Sequence, residues 1–189
     1  MHRLSTSFIL GYHGCDRRVG ERLLRGEDFI PSNNDYDWLG PGIYFWESNP
    51  ERGLDFARES ALRKPTTIRE PFAIGAVIDL GLTLDLTTNA GIQAVRVAYA
   101  KLMDASREHG LPVPENSEDG LLRKLDYAVM RQVHLMIERE QAAPIDTVRG
   151  IFLEGAPIYP TAGFHEKTHV QIAVCNPACI NLNPAIRWK

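Results

Sequence analysis

Long apolar runs are missing from this chain of 189 residues. No stretch approaches the roughly 20 residues that carry a helix across a bilayer, so no membrane partner is expected. A strong excess of either charge is missing too: 21 Lys+Arg stand against 24 Asp+Glu, a formal net charge of −3. That balance argues against a wide basic surface for nucleic acid, although a local basic patch is compatible with it. Cysteine is scarce: Cys15, Cys175 and Cys179 make an odd set that does not suggest a disulfide framework in a chain this long. Internal repeats and low-complexity tracts are absent. The start, MHRLSTSFILGYHG, has an apolar stretch too short and mixed for a signal-peptide core, with no small-residue cleavage pattern. The expectation is a soluble, intracellular protein, cytoplasmic in location.

What is present is ordinary globular composition, 44% hydrophobic and 24% charged. A chain above about 150 residues buries roughly 70% of its unfolded surface, so a self-sufficient core is expected. Residues 1–189 read as one domain. SFILGY (7–12) reads as a short buried strand ending at His13-Gly14. DRRVGERLL (16–24) reads as a helix with Asp16 as N-cap and Gly26 as a stop. Gly40-Pro41-Gly42 predicts a turn and Ile43-Tyr44-Phe45 a strand. Pro50 opens a second helix that ends before Pro65. FAIGAVIDL (72–80) and LTLDL (82–86) read as strands, 88–109 and 119–141 as helices, and RGIFLEG (149–155) and THVQIAV (168–174) as strands. The tail, CNPACINLNPAIRWK, reads as irregular or edge-like. Strands and helices mix without the alternation of a doubly wound sheet. The predicted class is α+β, with a mainly antiparallel sheet, flanking helices and a helical insertion or packing face over 88–141.

Three segments carry candidate chemistry. His13 leaves a strand end beside a glycine, where a ligand can approach the backbone and the imidazole can donate or accept a hydrogen bond. Tyr44 alternates with Ile43 and Phe45, and an aromatic with a hydroxyl after a glycine turn suits stacking on a flat ring. Gln171 alternates with Val170 and Ile172, and a buried Gln needs a structural or ligand partner.

In this order, Tyr12-His13-Gly14, Gly40-Pro41-Gly42-Ile43-Tyr44-Phe45 and Gln171-Ile172-Ala173-Val174 resemble the ADP-ribosyltransferase fold. The similarity is to the branch of poly(ADP-ribose) polymerases and diphtheria-type toxins, with its split, mainly antiparallel sheet. Leu23-Leu24-Arg25-Gly26 and a following helix with Ala57 match that pattern too. The resemblance covers roughly residues 8–60 and 149–181 and does not extend to the central helices. Where the polymerases carry Glu, this chain has Gln171, which can hydrogen-bond a ribose but supplies neither negative charge nor a base. Chain-forming polymerase activity is therefore not expected.

The resemblance implies NAD as co-substrate, with no metal. It implies that His13 hydrogen-bonds the nicotinamide ribose and that the Gly14 backbone pairs with the carboxamide. Tyr44 would stack on the nicotinamide, Phe56 form a second wall and Gln171 hold the ribose hydroxyl. Glu166, on the loop before the late strand, is the candidate replacement carboxylate, with Glu154 and Glu47 weaker ones. The implied activity is mono-ADP-ribosylation of a protein or nucleic-acid acceptor held by the loop 27–38 or 156–168. Compactness and general style add the expectation of a bacterial toxin or defence effector with a cognate inhibitor or antitoxin. Competing readings are an NAD glycohydrolase and a non-catalytic NAD or ADP-ribose binding module. A third is an RNA 2′-phosphotransferase, for which Arg17 and Arg18 are the only basic pair near His13.

Each residue also has a purely structural reading: His13 as a satisfied core histidine, Tyr44 and Phe56 as core, Gln171 as a strand residue tied to a loop, and Glu166 as a solvated charge. Asp35-Tyr36-Asp37-Trp38 reads as a loop anchored by its aromatics, with an adenosine or acceptor contact as the alternative. His165, His169, Cys175 and Cys179 suggest a zinc set at first. A strand over 169–175 would hold His169 and Cys175 roughly 20 Å apart, too far for one ion. Cys15 shares a strand face with His13 but has no orienting third residue for thiol chemistry. The charges of the central helices, mixed in sign, read as a solvated face.

Overall fold

A computed structural model describes residues 2–3, 8–63 and 67–188, with side chains over 8–63 and 67–182. Ser7, Pro65 and Lys189, where an expected strand start, helix stop and tail end fall, lie outside the described residues. The elements run β1 (His2–Arg3), β2 (Phe8–Asp16), α1 (Arg17–Leu23), β3 (Ile43–Glu47), α2 (Pro50–Arg63), β4 (Pro71–Asp79) and β5 (Leu82–Asp85). They continue α3 (Asn89–His109), α4 (Lys124–Arg139), β6 (Thr147–Phe152), β7 (His169–Val174), a short 3-10 turn (Pro177–Cys179) and β8 (Ile180–Trp188). The strands form one mixed sheet in the order β1-β5-β6-β7-β3-β2-β4-β8. The α+β class is as expected. The tail, expected to be irregular or edge-like, forms edge strand β8 on β4, with a register shift between Ile74 and Ala76.

Local chemistry sets several boundaries. Asp16 caps α1 by accepting from Arg18 N, and its second oxygen accepts from Arg69 N and Glu70 N. One carboxylate thus fixes the helix start and ties the approach to β4 beside it. Thr88 caps α3 by accepting from Gly91 N. Helix α4 starts at Lys124 rather than 119. Asp119 is bound to Ser117 Oγ and Leu121 N in a turn, and Asn116 Oδ1 takes the Leu125 and Asp126 N–H groups. These side chains satisfy the backbone donors that an earlier helical turn would have used.

The stretch 88–141 has a topological role. β5 and β6 pair in parallel, Thr83 with Thr147 and Leu84 with Val148. Parallel neighbours need a crossover connection, and α3 with α4 is that crossover. The helices pack Ala98, Val129, Met130, Val133 and Ile137 against Leu39, Leu84, Val148 and Ala173 in one core cluster. They therefore complete the core of the sheet.

A second cluster lies on the opposite face, where Ile43, Phe45, Ile172 and Val174 meet Ala76, Ile78 and Leu80. A third joins Cys15, Leu23, Phe72 and Ile74. Burying each of these large side chains stabilises the fold by about 1.5–3 kcal/mol.

The β2–β3 ladder is short, with Gly11 opposite Glu47 and Tyr12 opposite Trp46. β2 pairs with β4 along its whole length, from Phe8–Asp79 to Asp16–Pro71. Beyond Tyr12, β2 therefore leaves β3 and stays with β4, which opens the sheet beside His13.

Candidate functional site

The strands that carry His13, Tyr44 and Gln171 are consecutive neighbours: β2, β3 and β7. Each of the three is held by hydrogen bonds of its own. His13 Nδ1 lies 2.9 Å from the Tyr44 carbonyl oxygen. A carbonyl only accepts, so Nδ1 carries the proton and neutral His13 keeps an acceptor lone pair on Nε2. The Tyr44 hydroxyl accepts from Leu39 N at 3.1 Å and donates to Gly40 O at 2.9 Å. One residue earlier, the Trp38 indole N–H donates to Gln171 Oε1 at 2.6 Å. That contact fixes which way the amide points, because an indole cannot accept. The Gln171 NH₂ is thereby turned away from Trp38 as a donor.

The register distributes these groups over both faces. Trp46 opposes both Tyr12 and Gln171, and Tyr44 opposes Ala173. Tyr44, Trp46 and Gln171 thus share the face that α2, α3 and α4 cover. His13, one residue from Tyr12, projects to the other face, with its ring centroid 5.5 Å from Phe29 and 5.6 Å from Phe45. Burial holds the His13 pKa below the ordinary histidine value, and the bond to Tyr44 O opposes that only in part. Burial raises the Tyr44 hydroxyl, with the Asp37 charge adding to it.

The expected stacking role of Tyr44 meets a different environment: its ring packs against the α3–α4 core and its hydroxyl is held by the 39–40 backbone. The close approach expected at Gly14 is made by α2. A Cβ there would lie 2.1 Å from Gly53 O and 3.4 Å from Phe56 Cδ1. Phe56 packs on Trp46, ring centroids 4.8 Å apart, so its ring partner is Trp46.

The candidate carboxylates are each engaged. Glu166 Oε2 accepts from Ala156 N within its own loop at 3.2 Å. Glu154 is held by Arg52 at 2.7 and 2.9 Å, and Glu47 by Arg149 at 2.7 and 3.1 Å. Cys15 is buried, and desolvation pushes its thiol up to about 12, so it is a protonated packing group at neutral pH. The strand that separates His169 from Cys175 is present as β7. No group of three or more His, Cys, Asp or Glu among the described residues is arranged to hold a metal ion.

Trp38, expected as a loop anchor or an adenosine or acceptor contact, is instead the partner that orients Gln171. Its placement is built by Asp37, which accepts from Ser32 Oγ and Asn34 N, both at 2.7 Å. Gly150 completes the seat, since a Cβ there would lie 2.7 Å from the Trp38 ring. The signals were the turn-rich Ser32–Asp37 run directly before the glycine turn, and a glycine inside β6.

Fold and site together define an α+β protein on a mixed sheet, with its three motif strands side by side. No protein-family model matches the chain, and no solved structure matches it. A segment of 36 residues is 47% identical to an uncharacterized protein of Methanocaldococcus jannaschii. The match covers 19% of this chain and only 17% of that protein's length. No helix among the described residues is long and apolar enough to cross a membrane.

Proposed function

We propose that this protein is an NAD-dependent mono-ADP-ribosyltransferase of the His-Tyr-Gln type, acting on a protein or nucleic-acid acceptor. The observation that carries the reading is the placement of the three motif residues on neighbouring strands, with His13 held on Tyr44 O, Tyr44 on the 39–40 backbone and Gln171 on Trp38. His13, neutral and with Nε2 bare, is suited to accept a hydrogen bond from a ribose hydroxyl at the opening between β2 and β3. Gln171, on the opposite face and with its oxygen held by Trp38, offers its NH₂ to a hydroxyl on that side. Tyr44 positions both partners, through its carbonyl to His13 and its hydroxyl to the turn that carries Trp38.

In the reaction, the bond between ribose C1′ and the nicotinamide nitrogen breaks and its electron pair leaves with nicotinamide. The oxocarbenium-like carbon is taken by an acceptor nucleophile, which loses its proton. Glu166, on the loop 156–168, is the carboxylate proposed to receive it after releasing Ala156 N. A bacterial toxin or defence effector, restrained by a cognate inhibitor, is the proposed setting.

A second reading, a non-catalytic NAD or ADP-ribose module, is favoured by one specific observation: Glu154, Glu47 and Glu166 are all engaged elsewhere and Gln171 carries no charge. Incubation with labelled NAD and cell lysate, followed by protease or nuclease, separates the readings. Label moved to protein or nucleic acid, and lost in His13→Ala, supports the transferase. Free nicotinamide without transfer marks a glycohydrolase. Binding without turnover would remove the enzyme reading.

A further inference from the structure

Asp16, at the end of β2, accepts from Arg18 N at 3.0 Å through Oδ1, and from Arg69 N at 2.8 Å and Glu70 N at 3.1 Å through Oδ2. One carboxylate thereby sets the backbone of Arg18 on α1 beside that of Arg69, just before β4. The side chains of Arg18 and Arg69, with Arg22, Val19 and Thr67, line an open hollow of about 410 Å³ that Asp16 also borders. That volume falls within the roughly 300–1,000 Å³ of small-molecule sites.

The charge around this hollow is one-sided. Arg18, Arg22 and Arg69 bring three positive charges and Asp16 one negative, in a chain whose formal net charge is −3. The concentration is therefore local and does not follow from a basic composition. The neighbouring Arg17 is neutralised by Glu70 and lies over the Phe72 ring, 4.7 Å from its centroid. Arg22 reaches Glu27 at 3.4 Å, with both side chains about half exposed, where water and salt weaken such a pair. Arg18 and Arg69 have no carboxylate within 4.0 Å among the described residues. Arg18 and Arg22 also stand one turn apart on α1, the i,i+4 spacing at which like charges repel. An anion between these guanidiniums converts that repulsion into attraction.

The residue types narrow the anion. All three cations are Arg, whose planar fork pairs two N–H groups with two oxygens of a phosphate or carboxylate. The lining carries an excess of two positive charges. A carboxylate or a phosphodiester, with one negative charge, leaves half of that excess unmatched. A phosphate monoester carries about −1.5 to −2 near pH 7 and three terminal oxygens for the three guanidiniums. The Thr67 hydroxyl adds a neutral donor. We propose that Arg18, Arg22 and Arg69 form a binding site for the dianionic phosphate of a monoester. The site uses none of His13, Tyr44 and Gln171, so it does not rest on the NAD reading.

The test is a titration of the full chain with methyl phosphate and, separately, with dimethyl phosphate and acetate. It is run at about pH 8, where the monoester is a dianion, and at constant ionic strength. Calorimetry reads the affinity, and NMR on the Arg18 and Arg69 backbone amides reads the place. Methyl phosphate is expected to bind saturably and shift both amides, with dimethyl phosphate and acetate about tenfold weaker or more. Arg18→Gln and Arg69→Gln are each expected to weaken methyl phosphate about tenfold. Both should fold, because Asp16 holds main-chain N–H groups that these changes leave in place. Arg139→Gln, at the end of α4, removes the same charge elsewhere and is expected to leave the affinity unchanged. A short oligonucleotide with a 5′-phosphate identifies the source: binding tighter than methyl phosphate assigns the site to a nucleic-acid end, and binding no tighter assigns it to a small phosphorylated molecule. Lack of saturable binding, dimethyl phosphate bound as tightly, undiminished affinity in folded Arg69→Gln, or an equal loss in Arg139→Gln would each overturn the proposal.

Discussion

The indole nitrogen of Trp38 donates to Gln171 Oε1 across 2.6 Å, joining residues 133 positions apart. The bond turns an amide that could point either way into one with a defined donor side. Gln171→Glu keeps an acceptor for Trp38 and adds the negative charge that the proposed transferase reading lacks here. In an NAD-cleavage assay it is expected to raise nicotinamide release above the parent protein. Trp38→Phe should lower release by roughly five- to tenfold, the worth of one positioning hydrogen bond of about 1–1.5 kcal/mol. Unchanged rates in both folded variants would place the chemistry elsewhere.

Tyr44 holds the 39–40 backbone through its hydroxyl. Tyr44→Phe removes that group while keeping the ring, and leaves the Leu39 N–H and one interaction of Gly40 O unmatched. Leu39 is fully buried. The expected loss is about 1–3 kcal/mol of stability, measured as a lower urea midpoint with unchanged slope. A midpoint equal to the parent's would show the hydroxyl to be dispensable.

Arg52 and Glu154 form an ion pair whose side chains are 9% and 11% exposed. Removing one partner strands the other charge in a poorly solvated place. Glu154→Gln is expected to cost on the order of 3 kcal/mol, a fall in Tm of roughly 6–12 °C for a chain of this size. Arg52→Met combined with Glu154→Leu should recover most of the loss. A double variant no better than Glu154→Gln would mean that the pair itself, and not the stranded charge, sets the cost.

His13, His134 and His169 all have pKa values lowered by burial. Unfolded, each takes a proton near about pH 6.5, whereas the folded protein delays this to lower pH. The unfolded state therefore binds more protons in that window, and stability rises with pH through it. Thermal unfolding should show a nearly constant Tm above about pH 7.5 and a decline on acidification below about pH 6.5. His134→Gln should flatten part of that decline. A Tm that holds steady down to about pH 5 would contradict the burial of these rings.

Much of the element order is legible in the residues themselves. Asp16 announces the start of α1 because a short carboxylate can reach the second N–H of a helix. The glycine turn at 40–42 and the β-branched and aromatic residues after it announce β3. Helix α4 starts later than its apolar periodicity predicts, because Asn116 and Asp119 compete for the backbone and periodicity does not register that competition. The residues of β8 by themselves predict an irregular or edge-like tail. Its ladder to β4 depends on a partner about a hundred residues earlier in the chain.

The sequence by itself determined the class, the mainly antiparallel pattern and the candidate residues His13, Tyr44 and Gln171, because those follow from local propensity and residue chemistry. Only the tertiary structure decided which of them face one another. Strand pairing is non-local, and side chains alternate between faces at every residue, so the short β2–β3 ladder places His13 on one face and Tyr44 with Gln171 on the other. It decided the role of Trp38 in the same way, by folding a turn from before β3 onto β7. It also gave the helices over 88–141 their purpose, since parallel β5 and β6 cannot be joined without a crossover.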